Sequence, residues 1–310
     1  MIWDEEVDVV CTGAGVAGLA GAISAVDVGG EVYVADSSGD RADEPAPIRA
    51  RVDRLHPWLG VHVSDSETND YLAALSSDLG PLSRSRWDVN VPIRVVQQAV
   101  RVDTGRTVAP FVGARLRDWA ARCLASPYGF VYTRVFDWQS TTLQSADGEA
   151  VEVAEIGSMS PDPGNVSASV YEWLTTQAHD RRISVHRDNT LQRIVFEDGA
   201  VLGAVFDTPD GPLAIRARRG VNVSTGGPQI STAAQYQLPA GETTLRVCLV
   251  GQAASRFGRV ELLTSEPFRQ STTPSCRAVN RQLHVSLHET QTHSHMWRCG
   301  KVDGYPPPGK

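Results

Sequence analysis

Several features that mark specialised classes of protein are missing from this 310-residue sequence. Its five cysteines are scattered, odd in number and never arranged as C-x-x-C, which argues against a disulfide framework and favours a reducing compartment. No apolar run approaches the roughly 18 residues that a membrane helix requires. The acidic start, MIWDEEVD, does not have the pattern of a signal peptide. The sequence therefore predicts a cytoplasmic protein without a transmembrane segment.

An excess of positive charge is also missing. The formal net charge of −7 at pH 7 argues against broad binding of nucleic acid. Hydrophobic residues make up 41% of the chain and charged residues 21%, which is ordinary for a soluble globular protein. A chain of this length can bury a large core and form one or two domains.

What the sequence does have is a strand–turn–helix–strand pattern near its start. An apolar run, Val7–Cys11, precedes G-A-G-V-A-G at 13–18, a small-residue helical segment follows at 19–28, and a second apolar run ends at Asp36. In a dinucleotide-binding unit the three glycines permit a tight turn, approach of the backbone to a pyrophosphate, and close helix packing. The helix N-terminus attracts phosphate, and the terminal acid accepts hydrogen bonds from a ribose diol. This order and spacing predict dinucleotide binding, which G-x-G-x-x-G alone would not.

A second block, residues 167–227, continues the alternation of helix and strand. Ser167–His179 places apolar residues on one helical face, and a short strand follows at 183–186. A β-meander is predicted by three strand-like runs separated by Asp-Gly turns, at 191–196, 201–206 and 213–217. A further strand, 220–223, stops at Ser-Thr-Gly-Gly, where bare backbone can lie against a ligand; a plain strand-to-loop turn is the alternative.

Together with the segment GETTLRVCLVGQAASRFGRVE, these blocks resemble the FAD-binding module of the fumarate reductase/succinate dehydrogenase flavoprotein family. That family includes the 3-ketosteroid dehydrogenases. The resemblance implies FAD as cofactor and an α/β protein with a Rossmann-like FAD-binding three-layer fold, in which a parallel sheet has helices on one side and the β-meander on the other.

The resemblance also implies the cofactor-binding residues. The pyrophosphate would be lined by Gly13, Ala14, Gly15, Val16, Ala17 and Gly18. The adenosine ribose would be held by Asp36, with Ser37 beside it, and the backbone near Leu191 would meet the adenine edge. Thr225 and Gly226 would close over the nucleotide.

The sequence departs from the family on the flavin side of the site. The segment after Asp36 lacks the glycine pairs that usually lie under the flavin, and the C-terminal part has no second glycine-plus-acid motif. The dipeptide Gly251-Gln252 does not match that second motif and aligns better with a helix that precedes the substrate-cap region of the family. No catalytic residue can be named, because the cap-domain Arg, His or Tyr has no matching motif. The aromatic segment around Tyr128, Tyr132 and Arg134 could line a pocket, but strand propensity favours a strand that packs its aromatics.

We expect residues 1–263 to form the FAD/dinucleotide-binding domain. An inserted region at 60–150 would contain the helices Asn69–Leu79 and Ala114–Ala125. Residues 264–310 are predicted to form an irregular tail that ends in GYPPPGK. This tail would be solvated or would dock on a protein partner. The tail contains histidines but no H-E-x-x-H motif and no paired cysteines, so no metal site is predicted.

The function predicted from these features is that of an FAD-dependent oxidoreductase, which would transfer a hydride between a small or steroid-like substrate and the flavin. The alternative is a non-catalytic FAD- or nucleotide-binding subunit, or a degenerate relative that works with a partner chain. The missing C-terminal flavin motif favours this alternative. An NAD-binding dehydrogenase is a third hypothesis, which Asp36 permits but the meander and Ser-Thr-Gly-Gly disfavour.

Overall fold

The computed structural model describes residues 2–37, 63–79, 90–97, 112–134, 140–225 and 244–265. These residues form a mixed α/β structure rich in strands. The described part contains four helices: α1 (Val16–Asp27), α2 (Ser66–Ser76), α3 (Val112–Ala125) and α4 (Val166–Asp180). No helix in these ranges is long and apolar enough to cross a membrane.

Twelve strands are joined in one hydrogen-bonded network. The strands are β1 (Glu5–Thr12), β2 (Val32–Ala35), β3 (Ile93–Gln97), β4 (Gly129–Tyr132), β5 (Thr141–Ser145), β6 (Ala150–Met159), β7 (Val185–His186), β8 (Thr190–Glu197), β9 (Ala200–Thr208), β10 (Gly211–Ser224), β11 (Leu245–Gly251) and β12 (Phe257–Thr264).

The first half of the network is a sheet in the order β7-β2-β1-β10-β4. β7, β2 and β1 run parallel to each other, β10 runs parallel to β1, and β4 is antiparallel to β10. Val9 and Cys11 of β1 pack with α1 and α4, whereas Val10 packs with Leu191 and Phe206 of the meander. The apolar run of β1 is buried because it has neighbours on both faces.

The predicted meander is present as β8, β9 and β10, but β10 differs from the prediction. The runs 213–217 and 220–223, predicted as two strands, form a single strand of 14 residues. Its first half pairs antiparallel with β9 and its later part pairs parallel with β1. Gly220, at φ +145°, lets the strand continue past an irregularity in its pairing with β1.

The second half of the network is a closed five-stranded barrel, which the sequence did not predict. Around the barrel, β3 pairs with β5, β5 with β6, β6 with β11, β11 with β12, and β12 with β3. The predicted helix at Gly251-Gln252 is wrong, because this dipeptide enters the turn of the β11–β12 hairpin. Antiparallel pairing of the flanking residues, Gly251 with Gly258, leaves only a short turn between them.

The barrel contains buried charge. Arg94 donates to Glu261 from Nε at 2.6 Å and from Nη2 at 2.9 Å, and to Glu149 from Nη1 at 2.9 Å. Arg259 donates a further hydrogen bond to Glu261, at 2.6 Å. Trp119 of α3 lies against the guanidinium groups of Arg94 and Arg259, and its indole N–H donates to a backbone carbonyl of β12. Paired charges can be buried because each partner replaces the lost solvent.

The predicted helices of the inserted region are present with shifted bounds. α2 covers Ser66–Ser76 rather than Asn69–Leu79, because Asp65 caps it by accepting a hydrogen bond from the Thr68 N–H at 2.8 Å. α3 begins two residues before the predicted start and ends at the predicted residue, Ala125. The aromatic segment after α3 is a buried strand, β4, as strand propensity predicted.

Candidate nucleotide-binding site

The turn between β1 and α1 has the geometry that the three glycines predict. Gly13 has φ +98°, a conformation that favours glycine, and its N–H donates to the carbonyl of Ala35 at 2.7 Å. Gly15 is the N-cap of α1 in an extended conformation, and its carbonyl accepts from Leu19 at 2.9 Å. This bond begins the helical ladder. The turn therefore connects the end of β1 directly to the start of α1.

Gly18 allows α1 to lie against this turn. A Cβ at position 18 would be 1.8 Å from the Gly13 carbonyl oxygen and 3.1 Å from Ser224 Oγ. The distance to the backbone oxygen is too short for a side-chain carbon, so only glycine permits this approach.

The first turn of α1 has features that favour a bound anion. The side chains of Ala14, Val16 and Ala17 are buried in the core, and the first turn of the helix carries no acidic residue. The initial N–H groups of a helix have no partner within the helix, and they form the positive end of its dipole. This arrangement can hold an anion such as a pyrophosphate through the backbone alone.

Ser224 ends β10 directly behind the turn. Its hydroxyl is buried and has no hydrogen-bond partner among the described residues. Ser224 Oγ would be 3.6 Å from a Cβ placed on Gly13. The sequence prediction named the next two residues, Thr225 and Gly226, as contacts of the nucleotide and did not name Ser224. Alternation along β10 was the signal available, because Val221 and Val223 pack with the meander and residues 222 and 224 therefore point toward α1.

The predicted ribose-binding acid lies at the end of β2. The Asp36 N–H donates to the carbonyl of His186 at 2.8 Å, and the Asp36 carbonyl accepts from the Asn189 N–H at 3.0 Å. Asn189 is buried and donates to the Tyr33 hydroxyl. His186 and Asn189, which the sequence did not single out, therefore hold the segment after β2. Ser37 follows Asp36 and is exposed.

The structure brings the residues near Leu191 close to Asp36 through the same segment. Leu191 itself has a buried side chain in the core under the meander, where it pairs with Phe206 of β9. Only backbone at this position could meet an adenine, which is the role predicted for it.

Thr225 has a partner in the loop after α3. Its hydroxyl lies 2.6 Å from the carbonyl oxygen of Ser126 and 2.8 Å from that of Gly129, and its N–H donates to the Gly129 carbonyl at 3.0 Å. The side chain is fully buried. Thr225 thus anchors the end of β10 to the turn between α3 and β4. Gly226, its predicted companion over the nucleotide, lies outside the described residues, as does the tail from residue 266 onward.

The thiol and metal chemistry of the described residues is limited. Burial raises the pKa of Cys11 to about 12, so this thiol beside the turn stays protonated. Within the ranges that the structure describes, no group of three or more His, Cys, Asp or Glu side chains is placed to hold a metal ion.

No protein-family model and no curated protein sequence matches this chain. Among solved structures it is similar to the 3-ketosteroid-Δ4-(5α)-dehydrogenase from Rhodococcus jostii RHA1 in complex with 4-androstene-3,17-dione. That match has 18% identity and a TM-score of 0.30, and it covers 71% of this chain and 46% of the other. The open conformation of a flavocytochrome c3 fumarate reductase matches at 13% identity and TM-score 0.28, covering 69% and 33%.

A third similar structure is a ternary complex of aklavinone-11 hydroxylase with FAD and aklavinone, at 19% identity and TM-score 0.25, covering 70% of this chain and 32% of the other. This chain spans less than half the length of each of these three proteins. Similarity at this level defines neither a family nor an activity, so the candidate site stands on its own geometry.

Proposed function

We propose that this chain binds FAD through the β1–α1–β2 unit, as part of a Rossmann-like three-layer arrangement, and acts as a flavin-dependent oxidoreductase. The observation that carries the proposal is the junction at Gly13, Gly18 and Ser224. There a turn that only glycine can form lies at the positive end of α1, and a buried hydroxyl without a partner lies behind it.

The sheet supports the same location for the ligand. β1 lies between β2 and β10, and all three strands run parallel. In the registers of these pairs Thr12 is opposite Ala35 on one side and Val223 on the other, so the three carboxyl ends share one edge. Ligands of open α/β sheets bind outside this edge, and Asp36 follows directly from it.

FAD is preferred over NAD because the meander and the strand ending in Ser-Thr-Gly-Gly resemble a flavoprotein module. The bound flavin would supply hydride-transfer chemistry. The chain's own residues would fix the adenosine half: the backbone of the first turn of α1 holds the phosphates, and Asp36 accepts from the ribose hydroxyls. We infer a small or steroid-like substrate from the family resemblance. The second candidate is a non-catalytic FAD-binding subunit, which the sequence favours because its C-terminal part has no second glycine-plus-acid motif.

Purification of the full chain tests the proposal. The protein should carry a yellow chromophore with flavin absorption, released on denaturation and identified as FAD by mass. Gly15→Val should abolish binding without unfolding the chain, because a branched side chain would occupy the space of the pyrophosphate. Gly113→Val is the matched control, because a Cβ on this exposed glycine would meet nothing within 4 Å. Colourless protein that takes up NAD but not FAD would overturn the proposal.

Two further measurements refine the proposal of FAD binding and flavin-dependent activity. Asp36→Ala should weaken FAD binding by about 1–3 kcal/mol, because one charged acceptor is lost. The control is Asp70→Ala, an exposed acid on α2. Bound FAD that no steroid or small-molecule donor reduces would favour the non-catalytic subunit over the enzyme.

A further inference from the structure

A cleft of about 740 Å³ is lined by residues of β1, α1, β4 and β6. The middle of β1, the later part of α1, the end of β4 and the middle of β6 surround it, and Asp8, Ser24, Tyr132, Arg134, Glu155 and Arg219 are among its lining residues. The lining residue of α1 nearest the glycine turn is Gly21, five residues beyond the first residue of the helix, a distance of about 7.5 Å along the helix axis. The cleft is therefore separate from the glycine turn.

A β-bulge places one of the cleft arginines. Val7 of β1 pairs with Ala217 of β10, and Val9 pairs with Gly220, so both Arg218 and Arg219 stand opposite the single residue between them. Bulges are rare between parallel strands, and they turn a side chain away from the direction that regular alternation would give it. Arg218 pairs with Asp8 and Glu31 and is not a lining residue, whereas Arg219 lines the cleft.

The second arginine follows the end of β4. Tyr132, the last residue of β4, and Arg134, two residues further on, both line the cleft. The Tyr132 hydroxyl would be 3.2 Å from a Cβ on Gly220, the residue after the bulge, so the bulge and the end of β4 are in contact. Burial raises the pKa of Tyr132 far above its usual value, and the positive charges of Arg134 and Arg219 partly oppose this effect. Tyr132, Arg134 and Arg219 line the same cleft.

Each acid of the cleft has an arginine partner outside the cleft. Asp8 accepts from Arg218 at 3.0 Å, Asp27 from Arg181 at 2.6 Å, and Glu155 lies 3.5 Å from Arg246.

The two arginines of the cleft keep donor capacity. Arg219 is 3.6 Å from Asp8, whose same oxygen already accepts from Arg218. Arg134 forms no ion pair with any of the residues that the structure describes. Two guanidinium groups, each able to donate several hydrogen bonds, thus face a cleft with apolar surface at Val9, Ala25 and Ala154.

We propose that this cleft binds a small organic monocarboxylate, with its carboxylate on Arg134 and Arg219 and its carbon chain against the apolar surface. Guanidinium groups bind carboxylates through paired hydrogen bonds. A single negative charge is favoured over a phosphate dianion because three carboxylates, of Asp8, Asp27 and Glu155, line the same cleft and repel a second charge. The site does not depend on FAD.

Calorimetric titration of the full chain tests this site, with sodium hexanoate as the probe. Hexanamide, a neutral molecule of the same shape, and inorganic phosphate are the comparison ligands. We expect saturable binding of hexanoate with a Kd of about 1 mM or tighter, as a ligand of this size can reach. Hexanamide and phosphate should bind at least about tenfold more weakly, since one lacks the charge and the other carries too much.

Arg134→Gln and Arg219→Gln should each weaken hexanoate binding about tenfold or more, by loss of a charge-assisted hydrogen bond. Both side chains are exposed, so the variants should fold. Arg216→Gln is the matched control, because this exposed arginine of β10 pairs with Glu6 outside the cleft. Unsaturable hexanoate binding, equal binding of phosphate or hexanamide, or equal weakening in the control would overturn the proposal. Each result is the same whether or not the protein takes up FAD, so failure here is distinct from failure of the proposed cofactor.

Discussion

Replacement of Gly18 by Ala tests whether α1 must lie against the glycine turn. The added Cβ would be 1.8 Å from the Gly13 carbonyl oxygen and 2.9 Å from its carbon. Both neighbours are backbone atoms, so the turn or the start of α1 has to move by about 1.5 Å to restore an ordinary contact. Alanine is preferred over glycine inside a helix by about 1 kcal/mol, which offsets part of an overpacking cost of about 1–3 kcal/mol.

We therefore expect a small change in stability and a large change in FAD binding. A binding constellation has to be held within about 0.5 Å of its productive geometry, and the required shift exceeds this tolerance. The Kd for FAD should rise about a hundredfold, equivalent to about 2.7 kcal/mol. Fluorescence titration gives the Kd, and urea unfolding gives the stability of the ligand-free protein.

Gly21→Ala is the control on the same helix. Its Cβ would meet the side-chain amide of Asn222 at 2.2 Å, and a side chain can rotate away where backbone cannot. We expect its FAD affinity to stay within about threefold of the original, since the turn is not displaced. Unchanged affinity in Gly18→Ala would refute the requirement for close approach. Equal losses in both variants would show that α1 as a whole, and not the turn, is the sensitive element.

Four further predictions concern the interior. Glu261→Gln should lower the free energy of urea unfolding by about 3 kcal/mol, because the buried Arg94 keeps only Glu149 as a charged partner and Arg259 loses its carboxylate. The exposed pair of Glu155 and Arg246 is the control, where Glu155→Gln should change little. Burial alone would raise the pKa of Glu261, but the guanidinium groups of Arg259 and Arg94 hold this pKa below the usual 4.5. The stability that the carboxylate contributes is therefore present above pH 4.5 and is lost as the pH falls through the lower pKa of the folded state. Two results would contradict this pH dependence: a urea midpoint that does not fall on acidification below pH 4.5, or a midpoint that falls equally in Glu261→Gln. Thr225→Val should destabilise the chain by about 1–2 kcal/mol while Thr225→Ser does not, because the hydroxyl anchors β10; equal stability of the two variants would exclude the anchor. Ser224→Ala should leave the melting temperature of ligand-free protein unchanged or raised, because a hydroxyl without a partner is removed, and a clear fall would reveal a partner.

The strand–turn–helix unit at the start of the chain could be predicted because its signals are local. The apolar run of β1, the glycines and the small residues of α1 are neighbours in sequence, and each acts on the backbone within a few residues. The bounds of α1 and α2 were the inaccurate part. α1 begins at Val16, directly after Gly15, and α2 begins after the cap at Asp65, so both start three residues before the apolar pattern indicated.

Contacts between distant segments could not be predicted in the same way. They depend on which strand ends and turns meet in three dimensions. Thr225 illustrates the difficulty: the motif around it suggested contact with a nucleotide, but its hydroxyl meets carbonyls almost a hundred residues earlier, at Ser126 and Gly129. A local pattern does not specify such a partner.

By itself, the sequence determined the α/β character of the chain, the β1–α1–β2 unit with its glycine turn, and the meander, because hydrophobic period and turn chemistry are local properties of the backbone. The tertiary structure alone decided the closed barrel, where Ile93 of β3 pairs with Leu262 of β12, and the burial of Arg94 against Glu261 inside it. It also decided the bulge that turns Arg219 into the cleft. These features follow from pairing between segments far apart in the chain, and the register of such pairs is set by packing in three dimensions.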